Sequence, residues 1–189
     1  FLSDHLKDHP TDAESHYLMG IWHARQHQAD EAGAWFQRAI EHGLPAGRIV
    51  AGPRGLLRNI AADHPFFREL KSQFAHQLIH GPLLGNVTDR SASFWVRTAN
   101  PTAIRVVAST SPDTRPPHYT ADGRTLAEQD NTGVIRLTGL NPQTHYYYRV
   151  EIAGKPSESP DDIGSFQTFA EKGDPVSYTH LRAHETIRH

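Results

Sequence analysis

Leu140-Asn141-Pro142-Gln143-Thr144-His145-Tyr146-Tyr147-Tyr148-Arg149-Val150-Glu151-Ile152 packs two signals into thirteen residues. Its first half is a turn: Asn and Pro favour chain reversal, and proline leaves no N–H for a ladder. Its second half alternates. Side chains of a strand point to opposite faces in turn, so Tyr146, Tyr148, Val150 and Ile152 should point inward and Tyr147, Arg149 and Glu151 outward. His145 falls on the outward set, which makes it a sheet-face histidine rather than part of a ligand cage among the tyrosines.

The same period of two extends over most of the chain beyond Ile79. Ser91–Thr98, Ala103–Ser109, Gly133–Leu140 and Gly164–Phe169 are short runs rich in β-branched and aromatic residues, separated by Pro, Gly, Asn and Asp. In Ser91–Thr98, Phe94 and Val96 share an apolar face; Trp95 and Arg97 share the other. Pro156–Pro160 reads as a turn or loop.

The corner itself has a known counterpart. Leu140, Pro142, Thr144 and Tyr146 match the L-x-P-x-T-x-Y spacing of fibronectin type III domains, and Tyr146 resembles their tyrosine corner. The resemblance implies a ring in the core and a hydroxyl bonded back to nearby backbone. With the number and spacing of the runs, it predicts an immunoglobulin/fibronectin type III-like β-sandwich over residues 79–170.

Residues 1–78 have the other period. Tyr17, Leu18, Ile21 and Trp22, then Ala32, Trp35, Phe36, Ala39 and Ile40, recur at helical spacing. Pro10 precedes the first helix with Thr11 or Asp12 as its cap, Asp30-Glu31 open the second, and Gly43 with Pro45 closes it. Met19-Gly20, Ala32, Phe36 and Ala39 sit at the offsets of the tetratricopeptide repeat, which residues 10–45 resemble. Close packing explains the pattern: Gly20 and Ala32 let two helices approach and Phe36 fills the gap. Gly47–Phe74 does not repeat it, and its helical fragments around Leu56–Ala61 and Phe66–Phe74 are expected to act as partner and cap, because one such unit cannot bury both faces. The fold class is therefore α+β by separate domains: tetratricopeptide-like helical hairpins in 1–78, an all-β sandwich in 79–170, and a linker with a non-native tail in 171–189.

That tail, Ser177 to His189, follows neither pattern. Ser177–Thr186 resembles a translated sequencing adaptor found at the ends of assembled metagenomic sequences, which marks the chain as truncated. His184-Glu185 and His189 imitate a zinc protease motif, but the histidines are five apart, not the four that put two side chains on one helix face. The chain opens at Phe1 and its one methionine is Met19, so the natural start is expected upstream.

Composition excludes several functions. The 189 residues carry 19 Lys+Arg against 21 Asp+Glu, spread without a basic cluster, so there is no electrostatic footprint for nucleic acid. No run approaches the ~20 apolar residues of a membrane span. There is no cysteine, hence no disulfide, thiolate metal site or cysteine nucleophile. The 14 histidines are scattered. Asp161-Asp162 reads as a solvated loop between Pro160 and Gly164, and Asn86-Val87-Thr88 is a glycosylation sequon only in a eukaryotic secretory setting.

His80–Asp89, Ser91–Thr98, Leu140–Val150 and Phe166–Phe169, in this order and spacing, resemble the N-terminal domain of alkaline phosphatase D-like (PhoD-like) metallophosphoesterases. In that family a fibronectin-like sandwich precedes a catalytic domain that binds two metal ions and hydrolyses phosphate esters. The resemblance implies a fragment that supports a catalytic domain lying beyond it, in an exported or periplasmic protein. None of the family's D-x-H, G-D or G-N-H ligand signatures is completed here: no aspartate has a histidine two places on, Gly85-Asn86 leads to Val87, and Gly173-Asp174 to Pro175. No catalytic, metal or cofactor residue is therefore assigned, and the chain alone is expected to be inactive. Trp95 and Arg97 are the candidates for contact with the catalytic domain, against the alternative that the chain's own helices shield that face. A tetratricopeptide-plus-sandwich module binding a protein or peptide, without enzymatic role, and an unrelated cell-surface sandwich are the competing readings.

Overall fold

The computed structural model describes residues 2–53, 55–57, 64–156 and 163–171. Asp161-Asp162 and the tail with His184, Glu185 and His189 lie outside these residues.

Among the described residues helices come first, with bounds α1 (Leu2–Asp8), α2 (Ala13–Arg25), α3 (Ala29–Glu41), α4 (Ala46–Ala51) and α5 (Pro65–Gln73), and residues 55–57 are also helical. The α2–α3 hairpin closes around a missing side chain. A Cβ on Gly20 would lie 2.6 Å from the ring carbons of Phe36, so only glycine lets α2 rest flat on that ring. Phe36, fully buried, also meets Tyr17 of α2 at 5.7 Å and Phe67 of α5 at 5.8 Å between ring centroids. One ring thus ties three helices together. Gly43 ends α3 in the left-handed region at φ 100°, and the N–H groups of Gly43 and Leu44 close the last turn on Ile40 and Ala39. Proline opens α5, where a missing N–H costs nothing.

Eight strands follow, all antiparallel: β1 (Leu78–Gly85), β2 (Ser91–Thr98), β3 (Ala103–Ser109), β4 (Tyr119–Arg124), β5 (Thr132–Thr138), β6 (His145–Ile152), β7 (Lys155–Pro156) and β8 (Gly164–Gln167). One sheet has the order β1-β2-β5; the other runs β4-β3-β6-β7, with β8 also beside β6. Their facing sides make one core. Phe94, Val96, Ile135 and Leu137 of the first sheet meet Ile104, Val106, Tyr146, Tyr148, Val150, Ile152 and Phe166 of the second, and Phe94 lies 4.7 Å from Tyr148 across the gap. The alternation expected along β2 and β6 is the alternation observed.

Three strands escaped the sequence pattern, the shortest being β7, whose Pro156 the sequence reads as turn but which pairs with Glu151 of β6 at the sheet edge. In β4 the inward positions after Tyr119 are Ala121 and Gly123, too small to mark a period. Gly123 is small for a reason: a Cβ there would sit 2.9 Å from Ile135. In β1, Gly81-Pro82 interrupts the apolar residues, and the pairing with β2 shifts register between His80 and Leu83, a bulge that lets proline enter an edge strand.

The helical segment meets the sheets through a second core. Ala99, just past β2, is buried among the helical residues, and Ile79 of β1 packs on the same cluster.

Candidate functional site

Register assembles the most conspicuous surface. Leu83 of β1, Trp95 of β2 and Val134 of β5 stand opposite one another in adjacent strands. They form a row across the outer face of the three-stranded sheet. Leu83 is 61% exposed and Val134 65%, so the row presents apolar surface to solvent on either side of the half-buried indole. Below it, Ser93 faces Gly85 and Arg136. Sequence alone singles out Trp95; Leu83 and Val134 join it only once the pairing is known.

Arg97 occupies the other end of that face, and its partners are within the chain. Its Nη2 donates to the carbonyl of Ala51 at 2.9 Å and to Asp130 Oδ2 at 2.6 Å. The side chain is only 14% exposed. On this face the arginine end bonds to the chain's own helix α4, while the tryptophan end carries the exposed Leu83 and Val134.

At the opposite end of the sheets, Leu140 and Tyr146 are fully buried. The Asn141 N–H donates to the Tyr146 hydroxyl at 2.9 Å, and the Thr144 hydroxyl donates to the Pro142 carbonyl at 2.7 Å. The Tyr146 ring stacks on Phe166 at 5.5 Å and meets Tyr119 edge-on at 5.4 Å. Burial pushes its phenol above the usual tyrosine range, against the pull of the Asn141 N–H. Thr168 completes the corner: its hydroxyl donates to the Asn141 carbonyl at 2.6 Å and accepts the Thr144 N–H at 3.0 Å. Nothing in the residue order marks Thr168, because its partners lie over twenty positions away.

The outer face of the second sheet is also covered. Arg149 opposes Val107 in the ladder and donates to the carbonyl and hydroxyl of Thr114, drawing the segment after β3 over the sheet. Val107 is 1% exposed although it points away from the core. His145 is exposed and lies edge-on to Tyr147 at 4.9 Å. The Thr88 hydroxyl accepts the N–H groups of Arg90 and Ser91, at 3.1 Å and 2.9 Å, and sets the entry to β2. Among the described residues, no group of three or more His, Asp or Glu side chains is placed to hold a metal ion, and no helix is long and apolar enough to cross a membrane.

The family described as "Domain of unknown function (DUF7800)" matches residues 75–169. The chain belongs to the DUF7800 family. Those residues take in all eight strands and stop where the segment after β8 bonds Phe169 N–H to Thr88. No curated protein matches the chain. Among solved structures, the DUF7800 chain is similar to PhoD at 17% identity and a TM-score of 0.43, over 49% of this chain and 19% of that one. It is also similar to the sensor domain of the anti-sigma factor RsgI4 in Pseudobacteroides cellulosolvens. A short form matches at 15% identity and TM-score 0.36, over 51% of this chain and 97% of that one; a long form at 17% and 0.34, over 55% and 99%.

Proposed function

We propose that this DUF7800 domain is a non-catalytic support for a metal-dependent phosphatase or phosphodiesterase domain of the same polypeptide, docked on the outer face of the three-stranded sheet. The observation that carries the reading is the row Leu83–Trp95–Val134, a contiguous apolar strip across three paired strands with both ends open to solvent. Arg97 is occupied by Ala51 and Asp130, so the docking role rests on Trp95 and its two neighbours. The order and spacing of His80–Asp89, Ser91–Thr98, Leu140–Val150 and Phe166–Phe169, which resemble alkaline phosphatase D-like proteins, supply the chemistry of the partner. Two metal ions and the hydrolytic step belong to that domain, and an exported location is part of the same proposal.

Finer features of the fold support it. The first, second and fifth strands share one sheet and the third, fourth, sixth, seventh and eighth the other, so that strands distant in sequence pair within two facing antiparallel sheets, as in an immunoglobulin-type sandwich. This favours a fibronectin type III-like assignment for 79–170, with Leu140, Pro142, Thr144 and Tyr146 as its corner. The α2–α3 hairpin in 1–78, with Gly20 on Phe36 and α5 closing it, favours a tetratricopeptide-like unit.

Turnover is the test. The purified chain, given Mn²⁺, Zn²⁺ or Ca²⁺ with p-nitrophenyl phosphate and its bis-ester, is expected to hydrolyse neither above the metal-only rate. The natural reading frame beyond Val176 is expected to encode D-x-H and G-N-H ligand signatures. Sustained hydrolysis by this chain, or a frame that holds no such signatures, overturns the reading.

A further inference from the structure

The covalent link between the helical segment and the sheets is short, residues 74–77 between α5 and β1. Two elements touching through a short linker need not move together; what unites them is noncovalent contact. Among the described residues, a polar bond between the two parts is made at the end of α4. The carbonyl of Ala51, the last residue of α4, belongs to the group of helix-end acceptors that have no partner within their own helix. Arg97 of β2 supplies the missing donor, placing a positive charge where the helix end is negative. The next carbonyl, that of Gly52, accepts the hydroxyl of Tyr17 from α2 at 2.9 Å. The Ala51–Gly52 step is therefore held from the helical side by Tyr17 and from the sheet side by Arg97. The same Arg97 nitrogen holds Asp130, in the turn before β5. A guanidinium so far removed from water is tolerated only while its partners stay in place.

We propose that Arg97 is a latch between the two halves of the chain: by gripping the Ala51 carbonyl and the Asp130 carboxylate together, it makes the helices and the sheets open as one cooperative unit with a fixed relative orientation. Ala99, buried among the helical residues, and Ile79, partly buried against the same cluster, supply the apolar part of the contact. Loss of the grip removes a charge-assisted connection and leaves a part-buried carbonyl without its donor, so the helical half then opens before the sheets. This inference stands whether or not the Trp95 row docks a catalytic domain.

Native-state hydrogen exchange of the whole chain in increasing urea reads the coupling directly. In the unaltered protein, amides of α2–α3 and of β2 and β6 are expected to share one opening midpoint. Arg97→Met, which keeps the aliphatic stem and removes the donors, is expected to split them: helical amides exchange at least about tenfold faster at low urea while strand amides hold their midpoint. Asp130→Asn is read in the same way and decides the matter if Arg97→Met does not fold. Separate midpoints already present in the unaltered chain, or variants in which helices and strands still open together, overturn the latch.

Discussion

The helical half and the sheet half of this protein solve the same packing problem in opposite ways. In the helices, one large ring fills the space that one absent side chain vacates, and the pair lies sixteen positions apart. In the sheets, the core is distributed over alternate positions of many strands. Phe94, Val106, Ile135, Tyr148 and Phe166 come from five different strands, and the glycines that meet them, Gly123 against Ile135 and Gly164 against Tyr148, each touch one member of that core rather than a ring on which every element closes. A core of the first kind is sensitive to single atoms. A core of the second kind depends on register.

That contrast sets the order of expected effects. Phe36→Ala should be the most damaging change, because the ring is shared by α2, α3 and α5. Removing a buried phenylalanine costs about 3–5 kcal/mol, read as a fall in the urea midpoint. Gly20→Ala tests the same contact from the other side. Its new methyl meets the Phe36 ring, and a loss of roughly 1–3 kcal/mol is expected, as for overpacked cores. If the Gly20→Ala protein is as stable as the original, the helical core is not closed around that ring, and the contrast with the sheets fails.

In the sheets, Tyr146→Phe keeps the ring on Phe166 and removes only the hydroxyl that accepts the Asn141 N–H. The expected cost is about 0.5–1.5 kcal/mol, the net worth of one hydrogen bond; a neutral result would mean that the corner is held by packing and Thr168 alone. The smallest effect belongs to the outer row. Leu83→Ser with Val134→Ser should change stability by no more than about 0.5 kcal/mol, since both side chains face solvent. A large loss in thermal denaturation would make the row part of the fold rather than a surface kept for a partner.

Much of this architecture is written in local order. The alternation in β2 and β6 is legible because each has one buried face. The α2–α3 hairpin is legible because Gly20, Ala32, Phe36 and Ala39 must recur at helical spacing for the helices to touch. The rest depends on what meets across space. Gly123 looks like a turn residue until Ile135 is found against it. Gly81-Pro82 looks like the end of a strand until the bulge carries β1 past it. Leu83 and Val134 are ordinary apolar residues until pairing sets them beside Trp95. One of the two partners of Arg97 is a backbone carbonyl, which any residue at position 51 would offer, so no side-chain pattern could announce it.

The docking role of the outer sheet face is the claim on which the functional account turns. Hydroxyl-radical footprinting reads it directly, by comparing side-chain labelling in this chain with labelling in a longer protein that carries the proposed catalytic domain on the same polypeptide. The account predicts strong labelling of Leu83, Trp95 and Val134 in the chain alone and marked protection of all three in the longer protein, with the exposed His145 on the other sheet labelled equally in both. Equal labelling of the three row residues in the two proteins would contradict it.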